Sequence, residues 1–262
     1  MPKWGASKSG YFFNKDDKVI AKGLASVKYI GVGLAEELYD ISQRKHYEKF
    51  VDLLCDVTAE TSLDSRQLDI LIKLDFFSEF GNQRELFRIS EMFSDLFKSG
   101  SAKKISRDKV DGTPLEPVIK KYAVGVTKSG GEAKSYTLLD LVSIMREAED
   151  IIKGLDLKDL DAVMKARNYS DIMGYAGYVS WKQEDRAKLY VVNIIPLKRK
   201  RDGKRFGYSV ITKSIGSGKE SRFTVFNSVF DKTPIQRDDI ILCTSYIKEG
   251  EYFKMTSYEK LS

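Results

Sequence analysis

Gly23-Leu-Ala-Ser-Val-Lys-Tyr-Ile-Gly-Val-Gly-Leu-Ala-Glu-Glu-Leu-Tyr-Asp-Ile41 is the stretch whose reading decides the N-terminal fold. Leu24, Val27 and Ile30 form one apolar stripe, Gly31 and Gly33 flank Val32, and Leu34, Ala35, Leu38 and Ile41 recur at helical spacing. The pattern predicts two short helices joined by a tight glycine hairpin. The glycines are expected to turn the chain with positive φ and to leave bare backbone N–H groups at the start of the second helix, where the helix dipole favours an anion. Such amides hold a phosphate without side-chain specificity. A turn that only lets two helices pack accounts for this stretch equally well.

Before the hairpin, Tyr11-Phe-Phe13 and Val19-Ile20 read as extended runs around the polar turn Asn14-Lys-Asp-Asp-Lys18. After it, Phe50, Leu53, Leu54 and Val57 predict a helix. Leu68, Leu71, Ile72 and Phe76 predict another from about Ser65, broken at Phe80-Gly-Asn82, and Leu86, Ile89, Phe93 and Phe97 a third. Residues 1–98 thus read as one compact, nearly all-α domain.

Residues 99–174 read as a linker, partly mobile and partly helical. Lys98-Ser-Gly-Ser-Ala-Lys-Lys104, Asp111-Gly-Thr-Pro114 and Lys128-Ser-Gly-Gly131 surround short apolar elements at Val118-Ile119 and Tyr122–Val126. Thr137-x-x-Asp140 has the form of a capping box before a stripe of Leu138, Leu141, Val142, Met145, Ala148 and Ile152. A second helix from about Asp156 passes Leu160, Val163, Met164 and Arg167 and stops near Gly174. Both are expected to dock the next domain.

From residue 175 the pattern changes to period two with β-branched and aromatic residues. Candidate strands are Tyr175–Trp181, Leu189–Ile195, Phe206–Thr212, Phe223–Phe226, Ile240–Thr244 and Tyr252–Ser257, with hairpin turns at Asp202-Gly203 and Gly250. A short helical piece around Val229 precedes the fourth core strand. The expected fold is α+β, with a five-stranded barrel of the OB type over residues 175–262.

The chain has 262 residues, 42% hydrophobic and 31% charged, enough to bury a core, and its longest apolar runs are too short to span a membrane. It is expected in the cytoplasm. Cys55 and Cys243 are too few for a disulfide framework or zinc cluster, and His46 is the single histidine, which leaves no basis for a zinc site or a histidine-activated nucleophile. The net charge of +6 is unevenly placed: residues 1–100 hold 14 Lys and Arg against 16 Asp and Glu, whereas residues 171–262 hold 17 against 11. Diffuse attraction to a polyanion must come from the C-terminal third.

The order Phe12, Val19-Ile20, Gly23-Leu24, Val27-Lys28-Tyr-Ile-Gly31-Val-Gly33, then Phe50-Val-Asp-Leu53, Leu71-Ile72-Lys73 and Phe80-Gly-Asn-Gln-Arg84 resembles the tandem helix–hairpin–helix region of the bacterial C-family replicative DNA polymerases. It is similar to the C-terminal part of the DNA polymerase III alpha subunit, of clostridial or phage type. That family carries an OB domain after its hairpins, and Lys254-Met-Thr-Ser-Tyr-Glu-Lys-Leu261 resembles its last strand. The resemblance implies a duplex-binding role for Lys28, Ile30, Gly31, Val32, Gly33 and Leu34, and it tips the hairpin from packing turn to phosphate grip. Sliding clamp or other replisome proteins are implied partners. Where the family has a Gly-Ala-Phe-like second hairpin, this chain has Leu74-Asp75-Phe76-Phe77, and Asp75 would repel a phosphate. No cofactor is expected, because magnesium belongs to the family's palm, which lies upstream and whose Asp-x-Asp is missing. The only such spacing, Asp159-Leu-Asp161, falls in the expected helix, where the two carboxylates diverge. The chain alone should therefore be catalytically inactive.

Lys198-Arg-Lys-Arg-Asp-Gly-Lys-Arg205 sets six cations around one turn. On an OB fold this is a loop that clasps single strands, so Lys198, Arg199, Lys200, Arg201, Lys204 and Arg205 are candidate DNA contacts. Tyr190, Phe206, Tyr208, Phe223 and Phe226 alternate with polar residues; some must fill the barrel, leaving one or two as stacking platforms, and Tyr208, counted among the candidate DNA contacts, shares a face by period with Phe206, so both point in or both point out. Ile215-Gly-Ser-Gly-Lys219 fails the Walker pattern, since Glu220 replaces the magnesium-binding Ser or Thr, and reads as a turn. Ile89-Ser-Glu-Met-Phe93 resembles a clamp-binding motif without its leading Gln and reads better as helix core. The expected function is a DNA-binding fragment holding duplex with the hairpin and single-stranded template with the barrel. The alternative is a module that docks replication proteins with little DNA contact.

Overall fold

A computed structural model describes residues 2–14, 19–96, 104–127 and 129–261. The expected turn at 15–18, the inward Phe97, the connection at 98–103 and Lys128 lie outside them. The fold is α+β, in two compact units, Met1–Leu160 and Asp161–Ser262. No described helix is long and apolar enough to cross a membrane.

The first unit opens with a two-stranded ribbon, β1 (Phe12–Asn14) and β2 (Val19–Ala21), antiparallel with Phe13 opposite Ile20. Gly23 follows, and a β-carbon there would lie 2.1 Å from the Gly10 carbonyl oxygen, so only glycine lets the lead-in segment cross so closely. The expected first helix of the hairpin is a single 3-10 turn, Leu24–Ser26. Three residues fix too few hydrogen bonds to propagate an α-helix. Four helices follow: α1 (Val32–Arg44), α2 (Phe50–Glu60), α3 (Ser65–Lys73) and α4 (Gln83–Leu96). Leu24, Leu38, Phe50, Leu53, Leu54, Leu71, Phe77, Leu86 and Ile89 are fully buried. Phe76 leaves α3 for the turn beyond it and stacks edge-on with Trp4. Ile89, Met92 and Phe93 are buried, as a helix-core reading of that segment requires.

This unit does not stop near residue 98. A three-stranded sheet in the order β3 (Lys104–Ser106), β5 (Glu132–Leu138), β4 (Ala123–Val126) carries α5 (Glu116–Tyr122), and α6 (Leu141–Gly154) packs on α2 and α4. The stripe expected to dock the next domain instead packs on the helices before it, with Leu141, Met145, Ala148 and Ile152 buried as expected, Ile144 buried in addition, and Val142 exposed. Its cap is Asp140, which accepts the Ser143 N–H at 3.1 Å; Thr137 belongs to β5.

The second unit begins with α7 (Ala162–Met173), capped by Asp161 and closed by Gly174 at φ 76. Residues 175–181, expected as a strand, form no ladder; Gly177 is instead packed so closely on Tyr169 that a β-carbon would lie 2.3 Å from its ring. The barrel consists of β6 (Lys188–Lys198), β7 (Arg205–Ser214), β8 (Glu220–Phe226), a short α8 (Asn227–Phe230), β9 (Ile240–Glu249) and β10 (Tyr252–Lys260). It closes in the order β10-β8-β7-β6-β9, with only β8 and β10 parallel. Five strands in that order, with a helix after the third, make an OB-type barrel. Leu189, Val191, Val210, Phe223, Val225, Ile241 and Met255 fill it, and Phe230 of α8 plugs it. Ile215–Lys219 is the β7–β8 turn.

Candidate nucleic-acid interface

In the first hairpin, Val27 and Ile30 are buried while Gly31, Val32 and Gly33 are exposed. The expected positive φ is carried by Tyr29, at 69°, not by the glycines; Gly31 has φ −76. A β-carbon on Gly31 or Gly33 would meet nothing within 4 Å. Neither internal packing nor backbone strain demands glycine there, so a turn that merely lets helices pack leaves both unexplained. What the glycines leave clear is access to the N-terminus of α1. Its first helical hydrogen bond is Ala35 N–H to Gly31 O at 3.0 Å, so the N–H groups of Val32, Gly33 and Leu34 precede the ladder. Gly31 provides no side-chain cap.

The other long helices close their N-termini with carboxylates. Glu149, wholly buried, accepts the N–H groups of Phe50 and Val51 on α2 at 3.0 and 2.9 Å. Asp64 and Gln67 form a capping box on α3, Asp140 caps α6 and Asp161 caps α7. On α4, the second hairpin's helix, Asn82 and Glu85 cap each other's backbone and Asp159 accepts the Gln83 N–H at 3.1 Å. Asp159 and Asp161 thus lie outside any helix, contrary to expectation, each spent on a different helix start. Asp75, at φ 57, accepts the Gln83 side-chain amide at 2.9 Å. The second grip is filled from within.

Two cations that form no ion pair among the described residues stand beside the open one. Lys28 Nζ lies 5.1 Å from the Tyr29 ring and the Arg66 guanidinium 3.7 Å from it. Lys28, then Arg66, hold the Tyr29 phenol below its ordinary pKa. Gln67 Nε2 donates to Tyr29 O at 3.0 Å and fixes the turn. Arg66 and Gln67 come from α3, and no local spacing in the sequence links them to the hairpin.

Residues 5–86 match the helix-hairpin-helix motif family. The matched helix-hairpin-helix segment takes in both hairpins, the open and the filled. No curated protein matches the chain.

On the barrel, Gly203 at φ 69 and the bonds Arg199 N–H to Lys204 O and Gly203 N–H to Arg199 O, both 2.9 Å, make the 198–205 segment a tight β6–β7 turn. All six of its cations are exposed. Arg205 is tethered, to Asp231 at 3.5 Å and Asn227 at 3.3 Å, whereas Lys198, Arg199, Lys200, Arg201 and Lys204 form no ion pair among the described residues. Beside the turn, Arg199, Arg205, Phe206, Phe226, Asn227 and Ser228 line a groove of 570 Å³. Phe226 is 37% exposed and 6.2 Å from the half-buried Phe206. Tyr208 does not stand free as a platform. It stacks on Phe230 at 3.8 Å with the Arg205 guanidinium 4.8 Å from its ring. Tyr190 and Phe223 are buried. Among the alternating aromatics, Phe206 and Phe226 are the pair that reach the groove. A helix-hairpin-helix segment and an OB-type barrel together point to nucleic-acid binding.

Proposed function

We propose that this chain holds DNA at two places. The first hairpin takes duplex backbone through the amides of Gly31 to Leu34, with Lys28 and Arg66 supplying charge and Ile30 and Val32 shaping the turn. The barrel takes single strands through Lys198, Arg199, Lys200, Arg201, Lys204 and Arg205, with bases against Phe226 and Phe206. The observation that carries this reading is the selective opening of α1: among the described helices of eight or more residues, it alone starts without a carboxylate. A helix start so placed offers partial positive charge to a phosphate oxygen.

The order of hairpins and barrel supports a finer reading, that of the DNA-holding C-terminal part of a DNA polymerase III alpha subunit acting in cytoplasmic replication. Nucleotidyl transfer, with its magnesium, would belong to a palm upstream, and the sliding clamp or other replisome proteins would be partners. Binding of labelled duplex and single-stranded oligonucleotides, followed by anisotropy at salt concentrations from about 50 to about 200 mM, tests the proposal. Affinity that falls steeply with salt for both forms is expected. Salt-independent or absent binding would leave a protein-docking module in its place.

A further inference from the structure

The loop before the barrel presents Trp181 to solvent with 78% of its surface exposed, whereas the other tryptophan, Trp4, is buried. Trp181 also has φ 59, a backbone state that a bulky L residue rarely adopts. The loop is pinned on both sides of it. Ser180 N–H donates to Ile215 O at 2.8 Å, and Gly216 N–H donates to Asp185 O at 3.1 Å. A β-carbon on Gly216 would lie 2.5 Å from Lys182 O and from Arg186 N, so the loop and the β7–β8 turn meet backbone to backbone. The barrel core closes without the indole. The fold therefore fixes this backbone yet leaves its largest side chain unused, a pairing of strain with exposure that belongs to binding sites.

The surroundings indicate the ligand. Lys182, Arg186 and Lys219 are exposed and form no ion pair among the described residues, against the exposed carboxylates of Glu184 and Glu220. From the β7–β8 turn, β7 runs about 30 Å, at strand rise over its ten residues, to the basic turn at its other end. About a third of the way along, Arg222, in register with Ile211, is exposed on the outer side of the sheet, since Phe223 and Val225, of the opposite parity, point inward. Exposed cations thus stand at both turns, with Arg222 between them on the outer side of β8, and an aromatic ring that reaches the surface lies beside each turn.

We propose that Trp181 is a base-stacking platform for single-stranded nucleic acid, at the far end of a path that begins at Lys198–Arg205, with Lys182, Arg186 and Lys219 taking the adjacent phosphates. The proposal rests on the single-strand reading of the barrel given above. An indole accepts any base because every base has a π-face, so the contact lengthens the site without adding sequence preference.

The test uses the full chain and oligothymidylates from about 4 to about 16 nucleotides, the range of OB site sizes. Tryptophan emission, taken as the difference between wild type and W181F, is expected to be quenched in step with anisotropy for the longer strands. W181A should weaken those strands about tenfold, W181F much less, and neither should alter the binding of strands too short to reach from the basic turn. Long strands that bind wild type and W181A equally, with emission unchanged, overturn the platform and leave the barrel reading intact. Failure of every strand to bind wild type overturns both.

Discussion

Glu149, on α6, accepts the backbone N–H of Phe50, the first residue of α2, at 3.0 Å, and its second oxygen takes Val51. Lys153 Nζ neutralises the same carboxylate at 2.7 Å. Helix α2 is therefore capped by a residue 99 positions away, which ties the two parts of the first unit together. E149A removes a charge-assisted cap and strands two buried amides, so it should cost about 3 kcal/mol, with E149Q costing less. Urea unfolding would register this as a lower midpoint at constant slope; an unchanged midpoint for E149A would mean that α6 does not hold α2.

The open space around Gly31 and Gly33 separates folding from binding at the first hairpin. Alanine at both positions meets no atom; at Gly33, inside α1, it is favoured over glycine by up to about 1 kcal/mol, while at Gly31, the N-cap, it is disfavoured by a similar amount, so the two changes largely offset in stability. The double alanine variant should melt within a few degrees of wild type while losing about tenfold or more in duplex affinity. Retained duplex affinity would move the phosphate contact elsewhere.

The barrel turn makes a prediction in slope. Replacing Lys198, Arg199, Lys200, Arg201 and Lys204 by Gln leaves the hairpin bonds of the turn in place, since those are backbone bonds. Log affinity for single strands against log salt should flatten by about 0.7 for each phosphate that is no longer neutralised, and duplex affinity should change less. A slope indistinguishable from wild type would count against the turn as a DNA-binding element.

Asp56 gives the first unit an acid-sensitive element. The Lys45 ammonium at 2.6 Å, followed by the Tyr47 hydroxyl at 2.8 Å, holds its carboxyl below the usual range. A depressed folded pKa stabilises above the unfolded value of about 3.9 and is lost as pH falls through the folded one. The stability difference between wild type and D56N should therefore be flat from about pH 5 upward and shrink below about pH 4. A difference that persists unchanged to about pH 3 would rule out the pair as its source.

What the sequence made legible is what periodicity encodes. Helices α1 to α4 and α6, the five barrel strands and the Asp202-Gly203 turn follow from apolar spacing and from residues that tolerate left-handed backbone. The unit boundary did not, because the stripe from Leu141 to Ile152 states that α6 is buried without stating against what. Positive φ at Tyr29 was invisible for a related reason: a neighbour in space, Gln67, stabilises it through a bond that no local rule contains. Arg66 carries no local signal for the same reason, since it reaches the hairpin from another helix. Tyr208 and Phe226 show the limit of alternation, which gives parity along a strand but not what the ring meets at its end.

The filling of the second hairpin by Asp159 and Glu85 has a mechanical consequence under the proposed reading. Two open grips would fix a duplex in rotation as well as position. With one, the first unit would act as a pivot, retaining the DNA while leaving it free to swivel about a single point of purchase.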